Sequence, residues 1–180
     1  MIGLQPQLYE RFAEILTYPD DTYSRRVCDC GELLSRIHPA LAGAFQGFSK
    51  RIIGRPLTEL EEFFTRTFDL NPACCLEVGW HLFGENYERG RFLVRMRQEL
   101  RRRGLEESTE MPDHLAHVLQ ALARMEPETA AGFISDGVLP AVSKMAEALE
   151  GKDSPFEGLL QTIQGVLEAT VPDSEEVAHV

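Results

Sequence analysis

Four residues of types that bind metal ions or exchange protons lie in the middle of the chain: His81, Asp113, His114 and His117. Imidazole and carboxylate groups suit zinc or iron. On a helix that includes residues 113–117, however, consecutive residues diverge by about 100°, so Asp113 and His114 cannot easily share one ion. Asp113 and His117 would instead pair one turn apart, with Asp113 near the positive helix N-terminus. We therefore expect a capped helix with His114 at the edge of its apolar stripe, and no metal ligands.

No local signature of a common enzyme class occurs in the sequence. A lysine-containing phosphate-binding glycine loop, a Gly-x-Ser-x-Gly nucleophile motif and a His-Glu-x-x-His zinc motif are all absent. The four cysteines lack the spacing of zinc ligands, and we expect them to be free structural thiols. The sequence thus predicts a protein without catalytic residues or a cofactor.

The elements that would position these side chains are helical along nearly the whole chain. Apolar residues recur three or four positions apart, and no stretch shows the alternation of a strand. The pattern predicts an all-α, single-domain bundle of eight or nine helices over residues 1–171, followed by an acidic tail over residues 172–180. Capping boxes are expected at Thr58–Glu61 and Ser154–Glu157, and a kink at Pro140.

Two of the predicted helices carry the polar residues named above. One begins at Asn71-Pro72, is apolar on most sides and is therefore expected to be central. The other runs from Pro112 to Leu122 with an apolar stripe. Between them, an arginine-rich helix is expected to end at Gly104, because glycine is common just after a helix C-terminus.

The charge of the chain is strongly negative but unevenly distributed. Eighteen lysines and arginines face 29 aspartates and glutamates, giving a net charge of -11, which disfavours nucleic acid as a partner. The segment 86–104 has a net charge of +5 and is expected to be a solvated face. No apolar stretch is long enough to span a membrane, and charges within residues 1–16 argue against a signal peptide. We expect a cytoplasmic protein.

An ordered set of motifs resembles a known family. The run Phe64-Thr65-Arg66-Thr67-Phe68-Asp69 is followed by Leu76, His81, Gly84, Arg89-Gly90, Gly104-Leu105 and Met111-Pro112-Asp113-His114-Leu115. This order and spacing, over about residues 60–122, are similar to the redox-enzyme maturation chaperones of the TorD, DmsD and NarJ type. The nitrate reductase molybdenum cofactor assembly chaperones, also called delta subunits, are the most similar of these. The family often has leucine and proline where this chain has Met111 and Ala116.

The resemblance implies a TorD-like cytoplasmic chaperone that is not an enzyme. Such a protein would bind the N-terminal leader of the apo catalytic subunit of a molybdopterin oxidoreductase. It would keep that subunit competent for cofactor insertion until membrane docking or twin-arginine export, with the cofactor-insertion machinery as a further partner. Apart from the resemblance, a chain of helices joined by short hinges is compatible with a monomer or with a homodimer that exchanges helices.

A leader peptide loses conformational freedom on binding, so its site needs an apolar groove and a few charged contacts. Trp80, Phe83 and the edge of the 112–122 helix are expected to form the groove, and Asp113 to accept hydrogen bonds from the peptide. Arg89 has Glu85 and Glu88 as nearby ion-pair partners. The predicted peptide-binding residues are Trp80, His81, Phe83, Gly84, Glu85, Arg89, Pro112, Asp113, His114 and His117.

Two alternatives remain open from the sequence. One is a helical metal-dependent enzyme that uses His81, His114 and His117. The other is a helical adaptor that binds an unrelated amphipathic peptide in the same groove.

Overall fold

A computed structural model of the chain describes residues 3–171, and the predicted tail at 172–180 lies outside these residues. Ten α-helices make up most of the described range. Their bounds are α1 (Leu4–Ile15), α2 (Tyr23–Ile37), α3 (Ala42–Ile52), α4 (Leu57–Phe64), α5 (Val78–Phe83), α6 (Tyr87–Arg102), α7 (Leu115–Leu122), α8 (Pro127–Phe133), α9 (Leu139–Leu149) and α10 (Glu157–Glu168). A short 3-10 helix precedes α3.

This architecture confirms the predicted all-α class. Helices α8 and α9 are continuous through a π-helical segment, Ile134–Val138, so residues 3–171 form nine helical rods. The segment ends two residues before Pro140, whose missing backbone N–H prevents a regular α-helical hydrogen bond. The helical region is therefore irregular just before Pro140, while a kink at Pro140 itself stays a prediction. Gly104, with a φ of 63°, follows the end of α6 as expected.

The predicted capping boxes are wrong. Helix α4 begins at Leu57, so Thr58 lies inside the helix and no side chain caps it. Helix α10 begins at Glu157, and the Ser154 hydroxyl instead accepts a 3.3 Å hydrogen bond from the Phe156 amide in the preceding turn.

The two helices predicted around the polar residues begin later than expected. Residues 71–77 are not helical, with a turn at 72–74, and α5 contains only six residues. Helix α7 begins at Leu115 and not at Pro112. An antiparallel β-bridge between Glu77 and His114 accounts for both late starts. Because its residues need extended backbone, the chain cannot be helical there.

The core is built around a cluster of phenylalanines. The Phe156 ring lies 4.8 Å from that of Phe68, 5.6 Å from Phe48 and 5.9 Å from Phe64, measured between centroids. Phe156, the residue before α10, thereby joins α3 to α4 through Phe48 and Phe64. Helix α10 packs on α3 and α9, and α1 packs on α2 and α7. None of the helices within residues 3–171 combines the length and hydropathy needed to cross a membrane.

Gly158 allows α10 to approach α3 closely, and we expect Gly158→Ala to destabilise the fold. A Cβ at this position would collide with the Ala44 carbonyl oxygen and lie 3.3 Å from the Phe48 amide nitrogen. Backbone atoms cannot yield easily, so the free energy of unfolding should fall by about 1–3 kcal/mol. Denaturant unfolding of the wild-type protein and the variant measures this difference in free energy.

Gly47→Ala on α3 is the matched control. It has nothing within 4 Å of the added methyl group, and should raise the free energy of unfolding by about 0.5–1 kcal/mol. Equal effects of the two substitutions would contradict the close-contact explanation.

Candidate functional site

The β-bridge joins the segments that precede α5 and α7. The Val78 amide donates to the Asp113 carbonyl (3.0 Å), and the Leu115 amide donates to the Leu76 carbonyl (2.7 Å). The bridge therefore fixes where α5 and α7 begin. Its two residues are Glu77 and His114. The polar residues recognised in the sequence surround this bridge.

The Asp113 carboxylate is fully buried beside the bridge, with 0% of the residue exposed. Its Oδ2 accepts a 2.8 Å hydrogen bond from the Gly79 amide, and its Oδ1 has no hydrogen-bond partner. Burial raises the pKa of Asp113, while the Gly79 hydrogen bond and the Arg89 charge oppose that rise. The expected pairing with His117 is wrong, because Asp113 lies before α7 and turns towards α5.

Gly79 makes this arrangement possible, although the sequence did not single it out. A Cβ there would lie 2.7 Å from Asp113 Oδ2 and 2.9 Å from a ring carbon of Phe92. Any larger residue would push the carboxylate away from the start of α5. The backbone amide of Gly79 is thus the donor that keeps a buried carboxylate hydrogen-bonded.

Arg89 crosses over the same region from α6. Its guanidinium lies 3.7 Å from a Glu77 carboxylate oxygen and 5.5 Å from the Trp80 ring centroid. The expected ion pair with Glu85 or Glu88 is wrong, since Arg89 points towards the bridge and pairs with Glu77. Its Nε is buried and has no hydrogen-bond partner.

The three histidines have separate structural roles. His114 caps α7, with Nδ1 accepting a 3.2 Å hydrogen bond from the Ala116 amide. His117 hydrogen-bonds to the Met111 carbonyl (2.9 Å) through Nδ1 and lies 3.1 Å from the Ser108 hydroxyl through Nε2. His81 Nε2 donates to the Cys75 carbonyl at 2.7 Å.

These positions remove the geometric basis of the metal-enzyme alternative. Within residues 3–171, no three histidine, cysteine, aspartate or glutamate side chains come together as metal ligands. Burial also lowers the pKa of His81, and burial together with nearby His117 lowers the pKa of His114 to about 4.

A groove of about 860 Å³ opens beside the bridge. Its walls are the turn after α1, the end of α4 with its π-helical continuation, and the segments before α5 and α7; we call it the α1–α4–α7 groove. Apolar side chains and carboxylates both line it, among them Tyr18, Phe64, Phe68, Asp69, Glu77 and Glu110. Tyr18 is 51% exposed there, although it packs edge-on against Phe64.

Only two of the ten predicted site residues, His114 and His117, line this groove. Trp80, His81 and Gly84 face a shallow depression between α5 and α9, where Lys144 donates to the His81 carbonyl (2.7 Å). The predicted residues therefore surround one bridge but do not form one surface.

The remaining predicted residues are divided between the surface and the interior. Phe83 lines a separate cleft of about 350 Å³ with Phe92 and Phe133. Glu85 is exposed and Pro112 is buried.

The sequence contained one signal for the groove that we did not use. The motif from Phe64 to Asp69 supported the family resemblance, but its phenylalanines were not among the predicted peptide-binding residues. In the structure, Phe64, Phe68 and Asp69 contribute to the groove. Tyr18 gave no comparable signal, since it follows a helix end beside a proline.

Comparison with known proteins identifies similar chains. Residues 34–160 match the sequence model of a family described as the nitrate reductase delta subunit. A nitrate reductase molybdenum cofactor assembly chaperone, NarJ, of Bacillus subtilis is 28% identical over 156 residues, which cover 86% of this chain and 84% of that protein. NarJ of Escherichia coli is 27% identical over 117 residues, covering 64% of this chain but only about half, 49%, of that relative.

A solved structure shares the fold. A redox enzyme maturation protein from Archaeoglobus fulgidus superposes with a TM-score of 0.63 and 20% sequence identity. The superposition covers 91% of this chain and 93% of the other.

The pKa of His114 makes stability depend on pH. Its value of about 4 in the folded protein lies below the unfolded value of 6.5, so the folded state favours neutral imidazole. Its contribution to stability is complete above pH 6.5 and is lost as the pH falls from there towards 4. Protonation of Nδ1 also removes the cap of α7. Between pH 7 and pH 5, His114 should lower the free energy of unfolding by about 2 kcal/mol.

His114→Asn tests this dependence, because asparagine retains an N-cap acceptor that does not titrate. Denaturant unfolding at both pH values should show a loss smaller by about 2 kcal/mol in the variant. An unchanged pH dependence would contradict the assignment.

Proposed function

The chain belongs to the nitrate reductase delta subunit family, and we propose that it is a molybdenum cofactor assembly chaperone for a nitrate reductase. Family membership confirms the resemblance found in the motifs between Phe64 and Leu115. The relatives from Bacillus subtilis and Escherichia coli are named as chaperones of this kind and not as enzymes. The lack of a local catalytic motif is in keeping with that role.

We further propose that the α1–α4–α7 groove binds the N-terminal segment of the catalytic subunit. In the cytoplasm, binding would hold the apo-subunit ready for cofactor insertion and delay its docking at the membrane or its export. The observation that supports this is the combination of apolar and acidic side chains in one open groove. The proposal moves the peptide site away from Trp80, His81 and Phe83.

The apolar part of the groove supplies the driving force. A flexible N-terminal segment loses conformational entropy when it binds, and burial of its apolar side chains must offset that loss. Tyr18 is half exposed and packs against Phe64, and Phe68 also lines the groove. An aromatic ring of this kind offers a large contact area at a small entropic cost.

The acidic part of the groove favours a basic segment. Asp69 and Glu110 are exposed there, and neither has an ion-pair partner among residues 3–171. The net charge of -11 adds a long-range attraction that accelerates encounter with a positively charged peptide. Steering of this kind weakens as salt screens the charges.

Calorimetry with the N-terminal peptide of the cognate catalytic subunit tests the proposal. We expect Tyr18→Ala to weaken binding about five- to thirtyfold, because it removes an aromatic contact from the groove. Tyr87→Ala is the matched control: Tyr87 is 82% exposed at the start of α6, outside the groove, and its loss should leave the affinity unchanged.

Absence of peptide binding by the unmodified protein would exclude the proposed function. If Tyr18→Ala and Tyr87→Ala weaken peptide binding equally, or if neither weakens it, the groove is excluded as the binding site. An unrelated amphipathic peptide that binds as tightly as the cognate one would favour the adaptor alternative.

A second prediction concerns charge. Asp69→Asn should weaken binding of the basic peptide about two- to fivefold at low salt, because it removes an exposed carboxylate from the groove. The same peptide titrated at about 1 M salt should show little difference, since the screening length is then about 3 Å.

Asp29→Asn on α2 is the control for Asp69→Asn, because it removes the same charge from a surface outside the groove. Equal weakening by both substitutions would mean that only net charge matters and that Asp69 makes no local contact.

A further inference from the structure

Glu77 links the groove to the interior of the site. Glu77 lines the α1–α4–α7 groove, and one of its carboxylate oxygens lies 3.7 Å from the Arg89 guanidinium, too far for a hydrogen bond. The two side chains are 35% and 24% exposed. The pair is therefore loose and open to competition from a second cation.

Arg89 has another carboxylate within reach of its charge. Asp113 packs against Gly79, and the Arg89 charge opposes the rise that burial causes in the pKa of Asp113. A Cβ on Gly79 would be 3.5 Å from Arg89 Cγ and 2.7 Å from Asp113 Oδ2, so both side chains pack on the same glycine. Arg89 thus pairs with Glu77, a residue of the groove wall, and packs on the same glycine as the buried Asp113 carboxylate.

Both groups keep an unused polar atom. Asp113 Oδ1 and Arg89 Nε are buried and have no hydrogen-bond partner. A buried polar atom without a partner is unfavourable, and charged groups more so. A hydrogen bond between Arg89 and Asp113 would satisfy both atoms, but the movement of Arg89 that makes it would leave Glu77 without a counter-ion.

We propose that Glu77 is the subsite for a guanidinium or ammonium group of the bound peptide, and that Arg89 is a displaceable internal counter-ion. When the peptide cation reaches Glu77, Arg89 moves to Asp113. This deepens the proposed function, on which it rests. Ion pairs are exchanged and none is lost, so a basic peptide binds without leaving a carboxylate unpaired. A neutral peptide has no cation to pair with Glu77 and therefore does not displace Arg89.

The chain carries its own reporter of this movement. Trp80 is the only tryptophan, and the Arg89 guanidinium lies over its ring at 5.5 Å. Trp80 faces the depression between α5 and α9 and does not line the groove. Displacement of Arg89 should therefore change the Trp80 emission without contact between peptide and tryptophan.

The first experiment follows tryptophan emission and calorimetry in parallel, with a tryptophan-free N-terminal peptide of the cognate catalytic subunit. We expect an emission change that saturates with the calorimetric affinity. A peptide with its lysines and arginines replaced by glutamine should bind more weakly and, at saturation, leave the emission unchanged. Binding without an emission change would overturn the exchange but leave the proposed function intact. Absence of binding would reject the function.

Arg89→Ala separates displacement from a merely structural role. Without the internal counter-ion, Glu77 is free, and the basic peptide should bind about three- to fivefold more tightly and without an emission change. Arg95→Ala is the matched control on α6, because Arg95 lies over Phe133, and it should preserve both wild-type responses. Weaker binding by Arg89→Ala would overturn the proposal.

Glu77→Gln tests the exchange without any peptide. Loss of the Glu77 charge should release Arg89 to Asp113, so the free variant should already have the emission of the peptide-bound protein. It should also bind the basic peptide about three- to fivefold more weakly and the neutral peptide equally well. If the peptide-free Glu77→Gln variant has the same Trp80 emission as the wild-type protein, the exchange is rejected, whatever affinity the variant has for the peptide.

Discussion

A buried carboxylate is the constraint on which the site depends. Removing Asp113 from water is unfavourable unless hydrogen bonds and an opposite charge replace its hydration. The Gly79 amide and Arg89 supply these, and each imposes a condition on the surrounding chain. Position 79 must have no side chain, and α6 must direct an arginine inward. The starts of α5 and α7 follow, because the bridge that joins them includes Asp113 itself.

The same constraint shapes the groove. Glu77 and His114 form the bridge, so the backbone hydrogen bonds that keep Asp113 buried also fix two side chains of the groove wall. On the opposite wall, Phe64 and Phe68 belong to the aromatic cluster around Phe156. One wall is thus held by a polar network and the other by the core. Walls held in this way lose little conformational freedom when a peptide binds. Less of the favourable contact energy is then offset by ordering of the groove.

The features that could be predicted from the sequence are those that short-range residue patterns determine. Apolar spacing was sufficient for the all-α class and for most helices, because each depends on residues within a few turns. The proline itself indicated the irregularity of the helix near position 140. The hydrogen bond from Gly79 to Asp113 joins residues 34 positions apart, and no local pattern indicates it. Once α7 was assumed to start at Pro112, the helical geometry placed Asp113 beside His117. The actual start at Leu115 turns Asp113 towards α5 instead.

A chaperone must release its client as well as bind it, and the loose pair of Glu77 and Arg89 suits that requirement. A carboxylate with no counter-ion would hold a cationic peptide more tightly, whereas a short, fully formed ion pair would exclude it. A contact of 3.7 Å at partial exposure lies between these limits. In the proposed exchange, the unpaired Asp113 Oδ1 would supply the second position for Arg89. In this view the unsatisfied atoms of the site keep the internal ion pair weak enough for exchange.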